Sequence, residues 1–548
     1  MKKIYLTLAA VALVGAANAQ FWTYTTYKGA FPVTDGLTGT TSNDWTAGWC
    51  NWDPQNASYG TPTVTVSSDI TTNTTWTTGT IVLLQNKVYV KSGATLTIQP
   101  GVIIRGEQSS QGTLIITKGS KIMAVGTQTN PIIFTSDQAA GLRAEGDWGG
   151  LVLLGQAKNN QPGGVANIEG ITASADTEYG GTNDLDNSGT LQYVRIEFPG
   201  IALAPNKEIN GLTLGSCGSG TVVDHIQVSF SGDDSFEWFG GTVDAKYLVS
   251  FRGLDDDFDT DFGYSGRVQF ALSIKDKDLS DAAGDSNCFE SDNDATGTNA
   301  LPRTSPIFSN VTIIGPKMDG SVSLPVGEKF EKSFRLRRNT ATSVHNSLST
   351  GWEKGLSIEG SAAENNYSGG TVDSAYFREN VLSNYGGAAK VTASTSFYSS
   401  FFDADGNDTV TTVALINWVN AFPATLETAG DYRLNGASTV STGADFPTSI
   451  FMGGFVGIED EKTGEISNLA VYPNPANNNL NVTFNQVNTN ATAISVVDLT
   501  GKVVYNTTVN ANAGINNHTI NVANFNNGVY FVSLNSVEFT STVRFVKN

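Results

Sequence analysis

Short runs of β-branched and aliphatic residues, separated by glycine-bearing or polar turns, constrain the fold of this chain most. The runs are three to five residues long and none has a helical period, so they predict short strands rather than helices. They include 81–84, 88–90, 96–98, 102–104, 114–116, 122–124, 132–134 and 151–154. Turns such as Lys91-Ser92-Gly93 and Gln99-Pro100-Gly101 separate them. Strands repeated at this pace are typical of stacked coils, in which each strand pairs with its equivalent one coil away.

The segments 94–101, 130–136 and 146–150 resemble the opening coils of right-handed parallel β-helix proteins of bacterial surfaces. The resemblance covers about residues 79–160 and continues more loosely to about residue 400. A β-sandwich is the competing architecture, because short strands alone do not separate the two. The irregular coil lengths and repeated β-branched triplets favour the β-helix. In such a solenoid, four isoleucines are expected to point inward: Ile98, Ile104, Ile116 and Ile133.

The first twenty residues have the three parts of a secretory signal peptide. Lys2-Lys3 supplies the positive start, Ile4–Val14 the short apolar run, and Ala17-Asn18-Ala19 the small residues before the cleavage point. We therefore expect a signal peptide over residues 1–19. The apolar run is too short to favour a membrane anchor, and no other segment is long and apolar enough to cross a membrane.

The last 84 residues, 465–548, differ in composition from the rest, with three acidic and three basic residues and twenty asparagines. Their alternating strand-like runs predict a small Ig-like sandwich. Four motifs follow one another in this segment: Val471–Asn477, Val497–Val504, Asn527–Val532 and Arg544–Lys547. In this order they resemble the type A C-terminal sorting domain of the type IX secretion system of Bacteroidetes.

That resemblance implies export through the outer membrane by the type IX machinery and removal of the sorting domain. The exported protein would then be released or attached to surface lipopolysaccharide. The sorting-signal residues carried by the motifs are Pro473, Asn474, Pro475, Asp498, Gly501, Gly528, Tyr530 and Lys547.

These features divide the chain into five parts. They are a signal peptide (1–19), a Trp- and Thr-rich cap or leader (20–78), a parallel β-helix domain (79–455), a linker (456–464) and the sorting domain (465–548). Three cysteines, Cys50, Cys217 and Cys288, allow at most one disulfide. Stability must therefore come from a large buried core.

The charge balance excludes one class of partner. The chain has 52 acidic and 32 basic residues, a net charge of −20, so the phosphate backbone of a nucleic acid would be repelled. An acidic surface suits a secreted soluble protein and supplies oxygen ligands for hard cations.

The densest polar feature lies between residues 232 and 262, where nine carboxylates face only two basic residues, Lys246 and Arg252. Packing so many like charges is unfavourable unless a cation neutralises them. Alternation along an extended segment predicts four ligands on one side, in a calcium site: Asp255, Asp257, Asp259 and Asp261. A second acidic run follows with Asp278, Asp281, Asp285, Glu290, Asp292 and Asp294. The alternative is a solvated acidic loop.

Other enzyme and metal patterns are poorly represented. Residues 403–408 resemble the start of a calcium loop but lack the later EF-hand positions, which favours a turn. A histidine-based metal centre or a Ser-His-Asp triad would need one of three histidines. His518 lies in the sorting domain, and His225 lies in an apolar strand-like run where a structural role is favoured. His345 is then the remaining candidate. No G-x-S-x-G motif surrounds any serine.

The sequence therefore predicts a secreted or cell-surface β-helix protein that acts as a binding, adhesive or structural module, with glycan or a surface as partner. The alternative is a calcium-dependent polysaccharide lyase or a glycoside hydrolase. β-Helix lyases use calcium-bound carboxylates and a basic residue that abstracts the proton. The candidates for that base are Arg252, Arg267 and Lys275. A lyase would need such a residue beside the calcium, facing an open cleft.

Overall fold

The computed structural model describes the following residues: 21–32, 44–204, 207–281, 286–318, 320, 322–367, 375–383, 390–391, 402, 405–410, 416, 418–423, 425–428, 430–435, 438–447, 466–472, 476–486, 489–498, 502–535 and 540–547. The predicted signal peptide (1–19) and linker (456–464) lie outside these ranges. The chain divides into two compact units, Met1–Pro447 and Thr448–Asn548.

Short strands make up the first unit. In chain order they begin with β1 (Val64–Val66), β2 (Thr74–Trp76), β3 (Ile81–Leu84), β4 (Lys87–Val90), β5 (Thr95–Ile98), β6 (Ile103–Gly106), β7 (Thr113–Ile116), β8 (Lys121–Val125), β9 (Ile132–Ser136), β10 (Gly150–Leu154), β11 (Val165–Asn167), β12 (Glu178–Gly180), β13 (Gly189–Glu197), β14 (Ala202–Ala204), β15 (Lys207–Glu208), β16 (Leu212–Gly215) and β17 (Val222–Ser229). They continue with β18 (Phe236–Phe239), β19 (Asp244–Phe251), β20 (Phe258–Asp261), β21 (Arg267–Ile274), β22 (Phe289–Ser291), β23 (Ile307–Ile314), β24 (Lys332–Arg337), β25 (Ser343–His345), β26 (Leu348–Thr350), β27 (Lys354–Glu359), β28 (Phe377–Arg378), β29 (Val381–Ser383), β30 (Lys390–Val391), β31 (Asp408–Val410), β32 (Trp418–Asn420) and β33 (Asp431–Leu434). Among the described residues of this unit, the helical elements are 3-10 turns at Pro54–Asn56 and Pro162–Gly164 and one α-helix, α1 (Ser361–Tyr367).

Two long parallel sheets wind through the unit. Sheet A runs in the order β4, β7, β10, β16, β18, β20, β22, β24, β27 and β30. Sheet B contains β1, β2, β3, β5, β6, β8, β9, β13, β17, β19, β21, β23, β25, β26, β28, β29 and β31. Each strand pairs in parallel with its equivalent in the next coil, as β13 does with β17 and β17 with β19. The structure confirms the predicted parallel β-helix, because a sandwich would place antiparallel sheets face to face.

Stacked side chains of the same kind fill the coil interior. On sheet A, Phe236, Phe258, Phe289 and Phe334 follow one another in register, with neighbouring ring centroids 5.7, 5.1 and 5.1 Å apart. Such rows bury a large apolar surface, and this burial drives folding. The three cysteines are free thiols, so no disulfide contributes to stability.

The isoleucine prediction is confirmed at three of its four positions. Ile98, Ile104 and Ile116 belong to the main core, with at most 1% of their surface exposed. In β9 the residues that point into this core are Ile132 and Phe134, so the inward assignment of Ile133 is wrong. A strand reverses its facing at every residue, so Ile133 lies on the opposite face.

Sheet B bends at one position in each of five successive coils. Tyr193, His225, Tyr247, Phe270 and Asn310 all have φ between 50° and 62°, a conformation rarely adopted by residues other than glycine. The His225 ring stacks between Tyr193 and Tyr247, with centroids 4.3 Å from each. His225 thus belongs to a structural aromatic row, in agreement with its expected role.

The coils begin before residue 79, where the β-helix domain was predicted to start. Strand β1 pairs with β3 and β2 with β5, so residues 64–76 already belong to the coils. Upstream residues pack along the side of sheet B. Phe31 and Trp49 belong to a second apolar cluster with Phe230 and Phe251, outside the coil interior.

The second unit is a small antiparallel sandwich, as predicted. Its strands are β34 (Ile466–Tyr472), β35 (Asn479–Gln486), β36 (Asn490–Asp498), β37 (Val503–Ala511), β38 (Gly514–Asn521), β39 (Gly528–Asn535) and β40 (Thr540–Lys547). One sheet has the order β34, β35, β38 and the other β37, β36, β39, β40. Leu480, Ile494, Val532 and Phe545 contribute to its separate core.

Candidate functional site: an acidic cavity on sheet A

The charge of the side chains on the outward face of sheet A changes along the coils. One outward position is stacked from strand to strand: Tyr89, Ile115, Val152, Thr213, Glu237, Asp259, Glu290, Arg335 and Ser357. The row is apolar or uncharged over the first four strands, acidic over three, and basic at the next. Because strands of adjacent coils are about 4.8 Å apart, the three acidic side chains lie close together.

A loop excursion covers the apolar part of this face. The hairpin of β11 and β12 is antiparallel and lies outside the coils. Ile168 and Tyr179 from this region pack on Ile115 and Val152 in a buried cluster. Glu169, directly after Ile168, lines the cavity where this cover ends. The acidic part of the sheet begins there.

The acidic positions line a cavity of about 330 Å³. Its lining residues are Glu169, Asn210, Asp233, Asp234, Glu237, Asp255, Asp256, Asp259, Glu290 and Arg335. Eight of these are carboxylates, and within the described part of the chain Arg335 is the one cation that lines the cavity. The site therefore concentrates negative charge.

The carboxylates form three overlapping groups, in each of which one oxygen per residue lies within 4.8 Å of the others. The groups are Asp233 with Asp234 and Asp255, Asp234 with Glu237 and Asp259, and Asp256 with Asp259 and Glu290. Asp234 belongs to the first two groups and Asp259 to the last two. The oxygens thus form a continuous chain of potential cation ligands.

Burial and mutual repulsion both disfavour the ionised forms. The pKa values of Asp234, Glu237, Asp256 and Asp259 are raised well above the ordinary range, first by burial and then by neighbouring carboxylates. The pKa of Asp255 is raised to about 7 by the same causes. A cation bound among these carboxylates would offset both effects.

Hydrogen bonds satisfy part of the cluster. The backbone N–H of Asp256 donates to Asp234 Oδ1 at 2.9 Å, and Asn210 Nδ2 donates to Glu237 Oε2. Arg335 Nη1 donates to Glu290 Oε1 at 3.1 Å. In contrast, the buried Oδ1 of Asp259 has no hydrogen-bond partner among the described residues. A buried oxygen in that state is unfavourable unless another group binds it.

The structure brings two of the four predicted calcium ligands into the cavity. Asp255 and Asp259 line it, whereas Asp257 points into the protein. Asp257 lies 3.3 Å from Lys275 Nζ with neither side chain exposed, and it accepts hydrogen bonds from Ser250 and Ser273 at 2.6 Å each. The expected common side is therefore wrong for Asp257. Strand alternation begins only at β20, and the residues before it form a turn.

Asp261, the fourth predicted ligand, lies outside the cavity lining, beyond Asp259 on the same strand. Its carboxylate accepts the backbone N–H of Phe262 at 2.6 Å, and burial raises its pKa to about 8. From the second acidic run, Glu290 lines the cavity. Asp285 and Asp403 lie outside the described residues.

The basic residues considered for a lyase are engaged elsewhere. Arg252 Nη2 lies 2.5 Å from Asp276, Arg267 Nε donates to Asp244 at 3.0 Å, and Lys275 binds Asp257. Burial lowers the pKa of His345 to about 3, which leaves it neutral.

Sequence reasoning missed Arg335, although a sequence signal for it exists. An aromatic residue followed by a charged one recurs as Phe236-Glu237, Phe258-Asp259, Phe289-Glu290 and Phe334-Arg335. The aromatic residue fills the coil and the next one points outward. Asn210 and Glu169 are absent from this pattern, because loops carry them into the cavity.

The sorting-signal residues that can be placed lie on the four-stranded sheet of the second unit. Asp498 pairs with Tyr530 between β36 and β39, and Gly528 with Lys547 between β39 and β40. The Tyr530 hydroxyl donates to the carbonyl of Asn526 at 2.8 Å. Four further signal residues lie outside the described ranges: Pro473, Asn474, Pro475 and Gly501.

The two stacked parallel sheets define a β-helix protein. The chain belongs to the pectate-lyase-like beta helix domain family, whose model matches residues 68–423. The model of the secretion system C-terminal sorting domain matches residues 470–548, and this domain marks the protein for type IX export to the cell surface or extracellular space. In the described part of the chain, no helix reaches the length and apolarity of a membrane span.

No curated protein matches the chain. Among solved structures, tailspike protein 2 of the Escherichia coli O157:H7 bacteriophage CAB120 is 10% identical, with a TM-score of 0.14. The alignment covers 85% of this chain and 64% of the tailspike, so the chain spans about two thirds of that protein's length.

Proposed function

We propose that the acidic cavity binds calcium, and that the calcium-loaded face of sheet A binds an acidic extracellular polysaccharide. The observation that carries this proposal is the chain of three overlapping carboxylate groups linked by Asp234 and Asp259. The protein thus acts outside the cell as a calcium-dependent glycan-binding or surface-binding module.

The donor set favours calcium over other metals. Calcium takes six to eight oxygen ligands in flexible geometry, and the lining described above offers eight carboxylates and one amide but neither histidine nor cysteine. Zinc and other softer metals prefer those nitrogen and sulfur ligands. Calcium would also neutralise the repulsion that raises the carboxyl pKa values, and it would supply a partner for Asp259 Oδ1.

The glycan part of the proposal rests on charge. A polysaccharide bearing carboxylates is repelled by an empty acidic face but can complete the coordination shell of calcium ions bound there. Arg335, at the margin of the cavity, adds a planar donor suited to a carboxylate. Export to the surface or extracellular space gives the face access to such polymers.

The position of Arg335 also supports polysaccharide lysis as a second candidate. A lyase needs a base beside the calcium, and Arg335 is the cation at the cavity. Arg335 is paired with Glu290 at 3.1 Å and lies 3.5 Å from Glu359. Lysis would require calcium to take Glu290 from this pair.

Calorimetric titration of the purified mature protein with calcium tests the site. We expect saturable binding that Asp234→Asn with Asp259→Asn abolishes. Asp278→Asn, a change of the same kind at an exposed aspartate paired with Lys277, should leave it intact. Failure of the wild-type protein to bind calcium would refute the proposal.

A panel of acidic and neutral polysaccharides, each with and without calcium, tests the ligand. Calcium-dependent retention of acidic polymers without cleavage supports the binding module. Ultraviolet absorbance from an unsaturated product, lost in Arg335→Ala, would favour the lyase. Equal retention of neutral and acidic polymers in chelator would contradict both.

A further inference from the structure

Glu290 on β22 has both of its carboxylate oxygens bonded to arginines of the next coil. Arg335 Nη1 donates to Glu290 Oε1 at 3.1 Å, and Arg337 Nη2 donates to Glu290 Oε2. Glu290 is the register partner of Arg335 between β22 and β24, and Arg337 lies two residues further along β24, on the same face. Two guanidinium groups thus hold one carboxylate, each by a different oxygen. Planar guanidinium donors are well suited to such contacts.

The guanidinium groups of Arg335 and Arg337, here called the arginine pair, also have carboxylate partners other than Glu290. Arg337 Nε donates to Asp292 Oδ1 at 2.9 Å, and Arg335 Nε lies 3.5 Å from Glu359 Oε1. Asp292 is buried, and Glu359 belongs to the next strand, β27. Because these contacts do not involve Glu290, the arginine pair keeps its orientation when the Glu290 side chain turns away.

Glu290 has a second set of partners in the cavity. One of its oxygens lies within 4.8 Å of an oxygen of Asp256 and an oxygen of Asp259. The chain neighbours of Glu290, Phe289 and Ser291, are buried in the coil, so the strand is fixed and only the Glu290 side chain needs to turn. A calcium ion bound by Asp256 and Asp259 would therefore attract the Glu290 carboxylate away from the arginine pair.

The arginine pair can be reached from solvent. Arg335 lines the cavity, and its side chain is 20% exposed, compared with 16% for Arg337. An external carboxylate can therefore reach the guanidinium groups. Because most of each side chain is shielded from water, an ion pair formed there is screened less than one at an open surface.

We propose that the arginine pair is a binding site for the carboxylate of an acidic sugar, and that Glu290 fills this site in the calcium-free protein. Calcium draws Glu290 into its coordination shell, and the freed guanidinium groups then bind the sugar carboxylate in place of Glu290. The calcium-dependent half of this proposal rests on the proposed function. Because coupling between two ligands is reciprocal, the bound sugar also raises the affinity for calcium.

Glu290→Gln removes the competing charge at nearly the same side-chain size, and anisotropy of a fluorescent galacturonate trimer in chelator tests the site. We expect the variant to bind the trimer about tenfold more tightly than the wild type does, because the arginine pair gains an ionised partner. A neutral galactose trimer should bind neither protein. Glu331→Gln is the matched control, because it removes the same charge from a carboxylate that pairs with Lys354, and it should bind as the wild type does.

Arg335→Met tests the arginine pair in the presence of calcium. This variant should lose binding of the galacturonate trimer, whereas calorimetry should still show calcium binding. Arg338→Met is the control, because Arg338 pairs with Asp292 at 2.6 Å and not with Glu290. It should keep both the trimer and calcium.

A folded Glu290→Gln protein with the trimer affinity of the wild type, or an equal gain in Glu331→Gln, would overturn the proposal. If Glu290→Gln does not fold, Arg335→Met decides, and retained trimer binding in calcium would overturn it. A wild-type protein that binds no calcium would refute the proposed function and the calcium-dependent half. The comparison in chelator contains no calcium, so it tests the arginine pair separately.

Discussion

Two aspartates two residues apart should respond in opposite ways to the same substitution. Asp257 forms a buried ion pair with Lys275 at 3.3 Å, and both side chains are fully buried. Asp257→Asn leaves the ammonium of Lys275 in the protein interior without its counter-charge. Breaking a buried pair from one side destabilises a protein by about 3–5 kcal/mol. Asp259→Asn instead removes one of several repelling carboxylates, so it should stabilise the calcium-free protein.

Urea unfolding of the mature protein in chelator, followed by tryptophan fluorescence, measures both effects. Asp257→Asn should lower the unfolding midpoint strongly and Asp259→Asn should raise it. The double variant Asp257→Asn with Lys275→Met is the control, because it removes both charges and should recover most of the loss. Equal midpoints for the wild type and Asp257→Asn would refute the assignment of this pair.

Three further predictions follow from the cavity and the sorting domain. The folded protein holds protons on carboxyls such as Asp255 more tightly than the unfolded chain does. Lowering the pH from about 8 to about 5 should therefore raise the melting temperature of the calcium-free protein. A melting temperature that falls over this pH range would contradict the raised pKa values of the cavity carboxyls. Calcium at a hundredfold excess over Kd should stabilise the folded state by about 2.7 kcal/mol, so identical melting curves with and without chelator would reduce the cluster to a solvated loop. Mass spectrometry of the exported protein should find no peptides beyond about residue 470, and abundant C-terminal peptides on the mature protein would refute removal of the sorting domain.

The sequence alone determined the coil architecture and the C-terminal domain, because both depend on local patterns. Runs of β-branched residues between glycine turns specify short strands. In a parallel stack the same strand-and-turn unit is repeated from coil to coil. The recurring Phe-charged pairs mark the outward row of sheet A. The C-terminal domain is likewise identified from the order of its short motifs along the chain, of which Asn527–Val532 is one.

Tertiary structure alone decided how individual polar residues are used. Asp257 and Asp259 have the same spacing as any alternating pair, yet one faces Lys275 and the other the cavity. The turn before β20 breaks the alternation, and a turn's geometry depends on what packs against it. The assembly of Asn210, Asp259 and Arg335 likewise joins positions far apart in the chain. Their proximity follows from coil lengths and loop paths, which vary from coil to coil and leave no periodic trace in the sequence.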